Sequence, residues 1–373
     1  GRMKTASITR RNVNWGNIAI SLAAPLVALL VATGLTSALM AISGIDPADA
    51  FSTLGSRMSE RTAWIDATQR AVPLYISAIA VAIGFKMNLF NIGVEGQYRV
   101  AMLTVVAVGT SVELPPVLHV TLCIVAAMAA GALWATIPAL LKVYRGVSEV
   151  ISTIMLNYIA TGVLAFLFAE VFAIREEGRL NPKSEELPKS AWMPNLVSEN
   201  LHNISGFIFV AAALGVAYYV LVWKSRFGFR LRASGTNPTA ARTAGIDPKR
   251  MVVSAMLLSG AVAGLVGMPQ VLGDKHAYSS DLQLGLGFSG IAVALLGRNS
   301  PVGIIAAAMT FGFLDSAAPF LDLESIPKEI VVIMQGVLVL TVVVVYEIAR
   351  RVKERRTQER ASRSLDAALA VAS

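Results

Sequence analysis

Long stretches without a single charge recur along this chain, and they limit its fold more than any other feature. Asn17 to Ile45 holds no charged residue, and neither does Met251 to Gly273. An α-helix rises about 1.5 Å per residue, so about 20 apolar residues cross the hydrocarbon core of a bilayer. One such run would fit a buried helix in a large soluble protein, but a series of them does not. Only 15% of the residues are charged, against about a quarter in soluble domains. Backbone polar groups in lipid need internal partners, and apolar runs of this length satisfy them as helices. The sequence therefore predicts an all-α, polytopic membrane protein with about ten transmembrane helices.

The expected segments are Asn17–Ala41, Ala71–Phe85, a helix resuming through Met102 to Val112, Val117–Leu141, Ser148–Ala173, Ile204–Val222, Met251–Leu272, Leu284–Leu296, Pro301–Phe320 and Glu329–Ile348. Ala71–Val112 and Leu284–Leu296 are short enough to be re-entrant. The first run is too long for a signal-peptide core and lacks a small-residue cleavage site, so it reads as a span. Basic residues collect in alternate connections: Arg10 and Arg11 before the first segment, Lys142 and Arg145 after the fourth, Lys224 to Arg250 after the sixth, Arg298 after the eighth, and Arg350 to Arg356 after the tenth. Positive residues stay on the cytoplasmic side, so both termini are expected there. The domain reading is a cytoplasmic segment 1–16, a transmembrane domain 17–348 with a large cytoplasmic loop 224–250 and an external loop 174–203, and a basic cytoplasmic tail 349–373.

Several function classes are disfavoured at this stage. The formal net charge of +8 follows the topology rather than a nucleic-acid surface, because interleaved aromatics are missing, so no nucleic-acid partner is expected. The single cysteine, Cys123, rules out disulfides and cysteine metal sites within the chain. His119, His202 and His276 are far apart in sequence, which leaves a metal site without support. No phosphate-binding G-x-x-x-x-G-K-[ST] loop occurs, so ATP would have to be bound by another chain.

The loop 224–250 carries the clearest local signals. Asn237 suits a helix N-cap, Pro238 the first helical position and Gly245 the stop after the C-cap. They enclose a short helix, Pro238 to Ala244, whose Ala240, Ala241 and Ala244 make a small-residue face; Asp247-Pro248 repeats the same start for the next span. A helix this short is not stable alone. Two uses fit: insertion into a groove on a partner, or a structured loop that is basic because it is cytoplasmic.

Phe227-Gly228-Phe229-Arg230-Leu231-Arg232-Ala233-Ser234-Gly235-Thr236-Asn237-Pro238, with Ala240-Ala241 and Ala244-Gly245-Ile246, resembles the cytoplasmic coupling segment of ABC importer permeases for branched-chain amino acids, simple sugars and nucleosides. Asn88 to Gln97 resembles the signature of the nucleoside and simple-sugar branch, and Leu295-Leu296-Gly297-Arg298 with Pro301-Val302-Gly303 resembles its later loop. The resemblance extends from about Pro73 to Tyr346, and the length of Glu170 to Leu201 is similar to that in the larger permease of nucleoside importers. It implies a multi-pass subunit of a bacterial cytoplasmic membrane that forms half of a pore and does no chemistry itself. It also implies the partners: ABC ATPase subunits holding Mg-ATP, a second permease identical or homologous to this one, and a substrate-binding lipoprotein or protein outside the membrane. No cofactor is expected in this chain. The residues placed at the ATPase by the resemblance are Gly228, Arg230, Arg232, Gly235, Asn237, Pro238, Ala240, Ala241 and Gly245.

Polar side chains at membrane depth are costly and so point to function. Asn88, Asn91, Glu95 and Gln97 fall, with Phe90, in a break loosened by Gly93 and Gly96, and Asn157 lies deep in the fifth segment. Broken helices are tolerated in the membrane where they line a cavity or are buried in protein. Either the break borders the substrate path, or its side chains satisfy its own backbone and cap the next helix. Asn157 suits an interhelical hydrogen bond as well as substrate contact. Glu149 has Arg145 as a neighbour of opposite charge, and Gly260 and Gly264 form a small-xxx-small pattern for close helix packing. The expected function is the permease subunit of an ATP-driven importer of nucleosides. The alternatives are a simple-sugar permease of the same kind and an ion-coupled secondary transporter, which the scarcity of membrane-embedded carboxylates disfavours. A membrane enzyme would lack a nucleophile, metal cluster or acid/base pair.

Overall fold

The computed structural model describes residues 15–174, 181–199, 202–279 and 281–372. The segment up to residue 14, with Arg10 and Arg11, and parts of the loop 174–203 expected to be external (175–180 and 200–201) lie outside the described residues. The described chain is largely helical: α1 (Trp15–Ile42), α2 (Pro47–Met58), α3 (Arg61–Lys86), α4 (Val94–Thr110), α5 (Pro116–Arg145), α6 (Glu149–Leu167), α7 (Phe207–Tyr219), α8 (Arg226–Thr236), α9 (Pro238–Thr243), α10 (Pro248–Gly264), α11 (Met268–Val271), α12 (Leu286–Leu296), α13 (Pro301–Leu323) and α14 (Glu329–Ala372). Among the described residues seven helical stretches are long and apolar enough to cross a membrane, and Leu26–Ile42 and Leu286–Leu296 are shorter apolar helices. This is a polytopic helical membrane protein. The described residues form two compact units, one drawn from both ends of the chain (up to Pro47, and from Val332 on) and the other Ala48–Val331.

The larger unit is built on α3. Every residue from Ala71 to Gly84 is buried, as expected of a helix that is apolar all round and has neighbours on every side. α7, α10, α12 and α13 pack against it. Close approach is secured by glycine. A Cβ at Gly290 of α12 would sit 1.9 Å from the Ser77 Oγ, and one at Gly312 of α13 would sit 2.4 Å from the Ala67 carbonyl oxygen. The small-xxx-small pattern of α10 does the same against α5: a Cβ at Gly264 would lie 2.0 Å from the Ala127 oxygen, and one at Gly131 would lie 2.2 Å from the Gly260 oxygen. The outward faces of α5, α6 and α7 expose Leu133, Ile151, Phe166, Phe209 and Val216, the composition lipid contact requires.

Several boundaries differ from the sequence expectation, each for a physical reason. The polar segment before Ala71 is helical: α2 occupies part of it, and α3 begins at Arg61, carrying Asp66, Gln69 and Arg70 on its first turns. Helix resumes at Val94 rather than within the apolar run, so Glu95 and Gln97 belong to the first turn of α4. The sixth span starts at Phe207, because His202–Ser205 pairs with Asn195–Glu199 as an antiparallel hairpin (β2 and β1). That hairpin is an exception to the all-α expectation. The seventh span is interrupted by a turn between α10 and α11. The basic tail from residue 349 continues α14 as far as Ala372.

Candidate functional site

The end of α3 shows how the predicted break is made. The Leu89 N–H donates to the Gly84 carbonyl at 3.0 Å and the Asn88 N–H to that of Phe85 at 3.1 Å, with Asn88 at φ 58°. This is a Schellman stop with asparagine in the left-handed position that glycine usually fills. Asn88 and Phe90 remain exposed, and the Phe90 ring meets Phe85 edge-on at 5.0 Å.

Beyond the stop the polar side chains turn inward. Asn91 Nδ2 donates to Ser259 Oγ of α10 at 2.8 Å and to Gln97 Oε1 at 3.0 Å, and its Oδ1 accepts from Gly93 N at 3.1 Å and Gln97 Nε2 at 3.1 Å. Ser259 Oγ donates on to the Ala80 carbonyl of α3 at 2.7 Å. Asn157 of α6 bridges the other side: its Oδ1 accepts from Gly96 N at 2.9 Å and its Nδ2 donates to the Ile92 carbonyl at 3.0 Å. Glu95 closes the set. Its Oε1 accepts from the Tyr98 hydroxyl and from Gly285 N, each at 2.9 Å, and its Oε2 accepts from Gly287 N at 2.9 Å. Glu95 thus supplies the cap that α12 lacks in its own sequence, satisfying backbone N–H groups that lipid could not. All four side chains are buried, and together they tie α3, α4, α6, α10 and α12 around the break.

The loop 224–250 is built as its caps predict. Asn237 Oδ1 accepts from Thr239 N at 3.1 Å and Ala240 N at 3.0 Å, and Pro238 opens α9. Gly245 takes φ 76°; its N–H donates to Arg242 and the Ile246 N–H to Ala241, each at 2.9 Å. Asp247 Oδ1 accepts from Lys249 N at 2.9 Å to start α10. Ala241 is buried, whereas Pro238, Ala240, Ala244 and Arg230 are exposed.

Sequence reasoning missed α8, which precedes α9. Its signals were present: Ser225 caps it by accepting from Gly228 N at 2.9 Å, and Phe227 and Leu231 repeat at helical spacing. A Cβ at Gly228 would lie 2.1 Å from the Leu221 oxygen, and one at Gly235 would lie 2.8 Å from both the Lys86 oxygen and the Met87 Cα. Leu231 is buried in a cluster with Met87, Leu89, Ala139, Ala255 and Met256. The Arg232 guanidinium lies 4.4 Å from the centre of the Trp223 ring, a cation–π contact. Consequently α8 rests directly on the stop of α3. Glu149 pairs with Lys142, one turn earlier than the Arg145 expected.

Residues 65–343 match the family described as branched-chain amino acid transport system / permease component. The chain belongs to that permease family. A guanosine ABC transporter permease of Bacillus subtilis is 36% identical over 330 residues, covering 87% of this chain and 93% of the relative. A nucleoside ABC transporter permease of Lactococcus lactis is 33% identical over 334 residues, covering 86% and 90%. A glucose ABC transporter permease of Haloferax volcanii is 31% identical over 327 residues, covering 85% of each. This member of the family is a transport subunit of the cytoplasmic membrane, not an enzyme. The broken-helix network and the loop 224–250 both fall within the matched residues.

Proposed function

We propose that this permease forms half of the translocation pore of an ATP-driven nucleoside importer. The observation that carries the substrate is the likeness, along nearly the whole length, to permeases named for guanosine and for nucleosides. In this reading ten membrane segments place both termini in the cytoplasm, with 17–348 as the permease domain, 174–203 external and the tail 349–373 cytoplasmic. A separate ABC ATPase holds Mg-ATP and docks on the exposed side of α9 and the turns around it, using Arg230, Asn237, Pro238, Ala240 and Gly245. Gly228, Arg232, Gly235 and Ala241 seat the segment on the permease. A second permease completes the pore, and a substrate-binding lipoprotein or protein delivers nucleoside from outside.

The path borders the break. Asn88 and Phe90 face it, while Asn91, Glu95, Gln97 and Asn157 hold its shape from behind. A push on α9 reaches the break through α8, whose Gly235 and Leu231 lie against Lys86, Met87 and Leu89. The sugar reading is kept by the glucose permease relative. Competition decides between them: uptake of tritiated guanosine by cells carrying the whole transporter is expected to fall with excess uridine or adenosine and to be indifferent to glucose or ribose. No guanosine uptake, with transporter-dependent uptake of labelled glucose or ribose instead, would make it a sugar permease.

A further inference from the structure

A second polar feature lies at the opposite end of α3. The first turns of that helix, strand β2, α11 and the following loop enclose a cleft of about 460 Å³, within the range of small-molecule sites. Asp66 and Lys86 are twenty residues apart on the continuous helix α3, so about 30 Å of helix, a bilayer's hydrocarbon thickness, runs from the cleft to the coupling segment.

The lining alternates donors and acceptors. Asp66 Oδ1 is paired with His202 Nδ1 at 2.7 Å, which fixes the carboxylate and ties β2 to α3. Gln69 Oε1 accepts from Ser205 N at 2.9 Å and Gln270 Oε1 from Gln283 N at 2.8 Å. Both amides are therefore held by their oxygens, with their N–H₂ ends left as donors. The Gln270 Nε2 is buried without a hydrogen-bond partner among the described residues, a state a native interior tolerates where a ligand or water completes it. Arg70 and Asp281 add a guanidinium and a second carboxylate to the same wall.

This composition selects among ligands. Hydroxyl groups both donate and accept, and neighbouring diols suit a wall of fixed amides, carboxylates and a guanidinium. Among the described residues no Phe, Tyr or Trp lines the cleft, so a base finds no stacking surface there, whereas the flat sides of Pro73 and Pro269 suit the CH face of a sugar ring. Three carboxylates (Asp66, Asp274, Asp281) stand against Arg70 and Lys275, a balance that disfavours a phosphate.

We infer that this cleft is a binding subsite for the ribose of a neutral nucleoside, at the mouth of the path remote from the coupling segment; the nucleoside source rests on the function proposed above. The chain suits a direct test, because its single cysteine, Cys123, is buried within α5. Asn203→Cys, in the cleft wall, places a new thiol there, and its alkylation by a membrane-impermeant maleimide is followed in vesicles carrying the complete transporter. Millimolar guanosine or uridine is expected to slow alkylation several-fold, 2′,3′-dideoxyuridine and uridine monophosphate to have no effect, and Arg70→Met or Gln270→Leu in the same background to abolish the protection. Unprotected alkylation in vesicles that still accumulate nucleosides would overturn the subsite and leave the function intact. Protection by glucose or ribose but by no nucleoside would overturn the nucleoside assignment, and equal protection by the monophosphate would overturn the neutral-ligand argument. Vesicles that take up no nucleoside would remove both.

Discussion

Glu95 is the position at which the account of the break is most exposed to test. Its two carboxyl oxygens receive three hydrogen bonds, two of them from the backbone N–H groups of Gly285 and Gly287 at the start of α12. Glu95→Gln keeps the size of the side chain and replaces one acceptor oxygen with an N–H₂ group. Whichever way the amide turns, one of those backbone N–H groups faces another donor. A hydrogen bond to a charged group contributes about 1.5–3 kcal/mol, and a buried donor left unpaired costs about 1–3 kcal/mol. With partial relaxation the substitution should destabilise by roughly 2–4 kcal/mol, a large part of a typical total of about 5–15 kcal/mol. The assay is denaturant unfolding of the purified transporter in detergent, with nucleoside uptake measured on the same preparations. An unfolding free energy within about 0.5 kcal/mol of the parent, accompanied by loss of uptake, would refute the view that Glu95 holds α12 and would move it into contact with substrate.

Three further outcomes are expected. Gly131→Ala places a methyl 2.2 Å from the Gly260 carbonyl oxygen; overpacking of this kind costs about 1–3 kcal/mol, and an unchanged melting temperature would contradict the tight α5–α10 contact. Gly235→Val drives a side chain into Lys86 and Met87, and should leave ATP hydrolysis by the assembled transporter while lowering uptake; equal loss or equal retention of the two would count against coupling through α8. His276 stacks on Trp192 at 3.7 Å, and burial lowers its pKa from the ordinary 6.5, against a smaller opposing pull from Asp274 and Glu186. The folded loop thus prefers neutral imidazole. Its stabilisation is complete above the ordinary value and is lost as pH falls through the lowered one, so Trp192 fluorescence should shift on acidification below about pH 6.5 and His276→Phe should abolish the shift; a shift that persists in the variant would refute the assignment.

What the sequence revealed and what it concealed divide by the range of the interactions. The caps of α9 and α10 were legible, because Asn237 and Asp247 bond to N–H groups only two or three residues away. The glycine pattern on α10 was equally plain, since its meaning is written in spacing. The break itself was located but its partners were not: Asn91 meets Ser259 across 168 residues, and Glu95 meets Gly285 across 190. No local rule pairs such residues, and Ser259 read only as one small residue among others. Hydropathy does not mark the start of α3, because the helix carries its charges into a polar cleft. That cleft draws Asp66, His202 and Gln270 from three separate elements, so it existed only after folding.

The central claim is that this chain is a pore subunit whose energy comes from a separate ATPase. The most direct test is the uptake of tritiated guanosine into proteoliposomes containing this permease, its partner permease and the binding protein, with the ATPase and ATP supplied or withheld and with a protonophore added. Accumulation is expected only when ATPase and ATP are both present, undiminished by the protonophore. Accumulation without the ATPase, abolished when the ion gradient is dissipated, would contradict the claim.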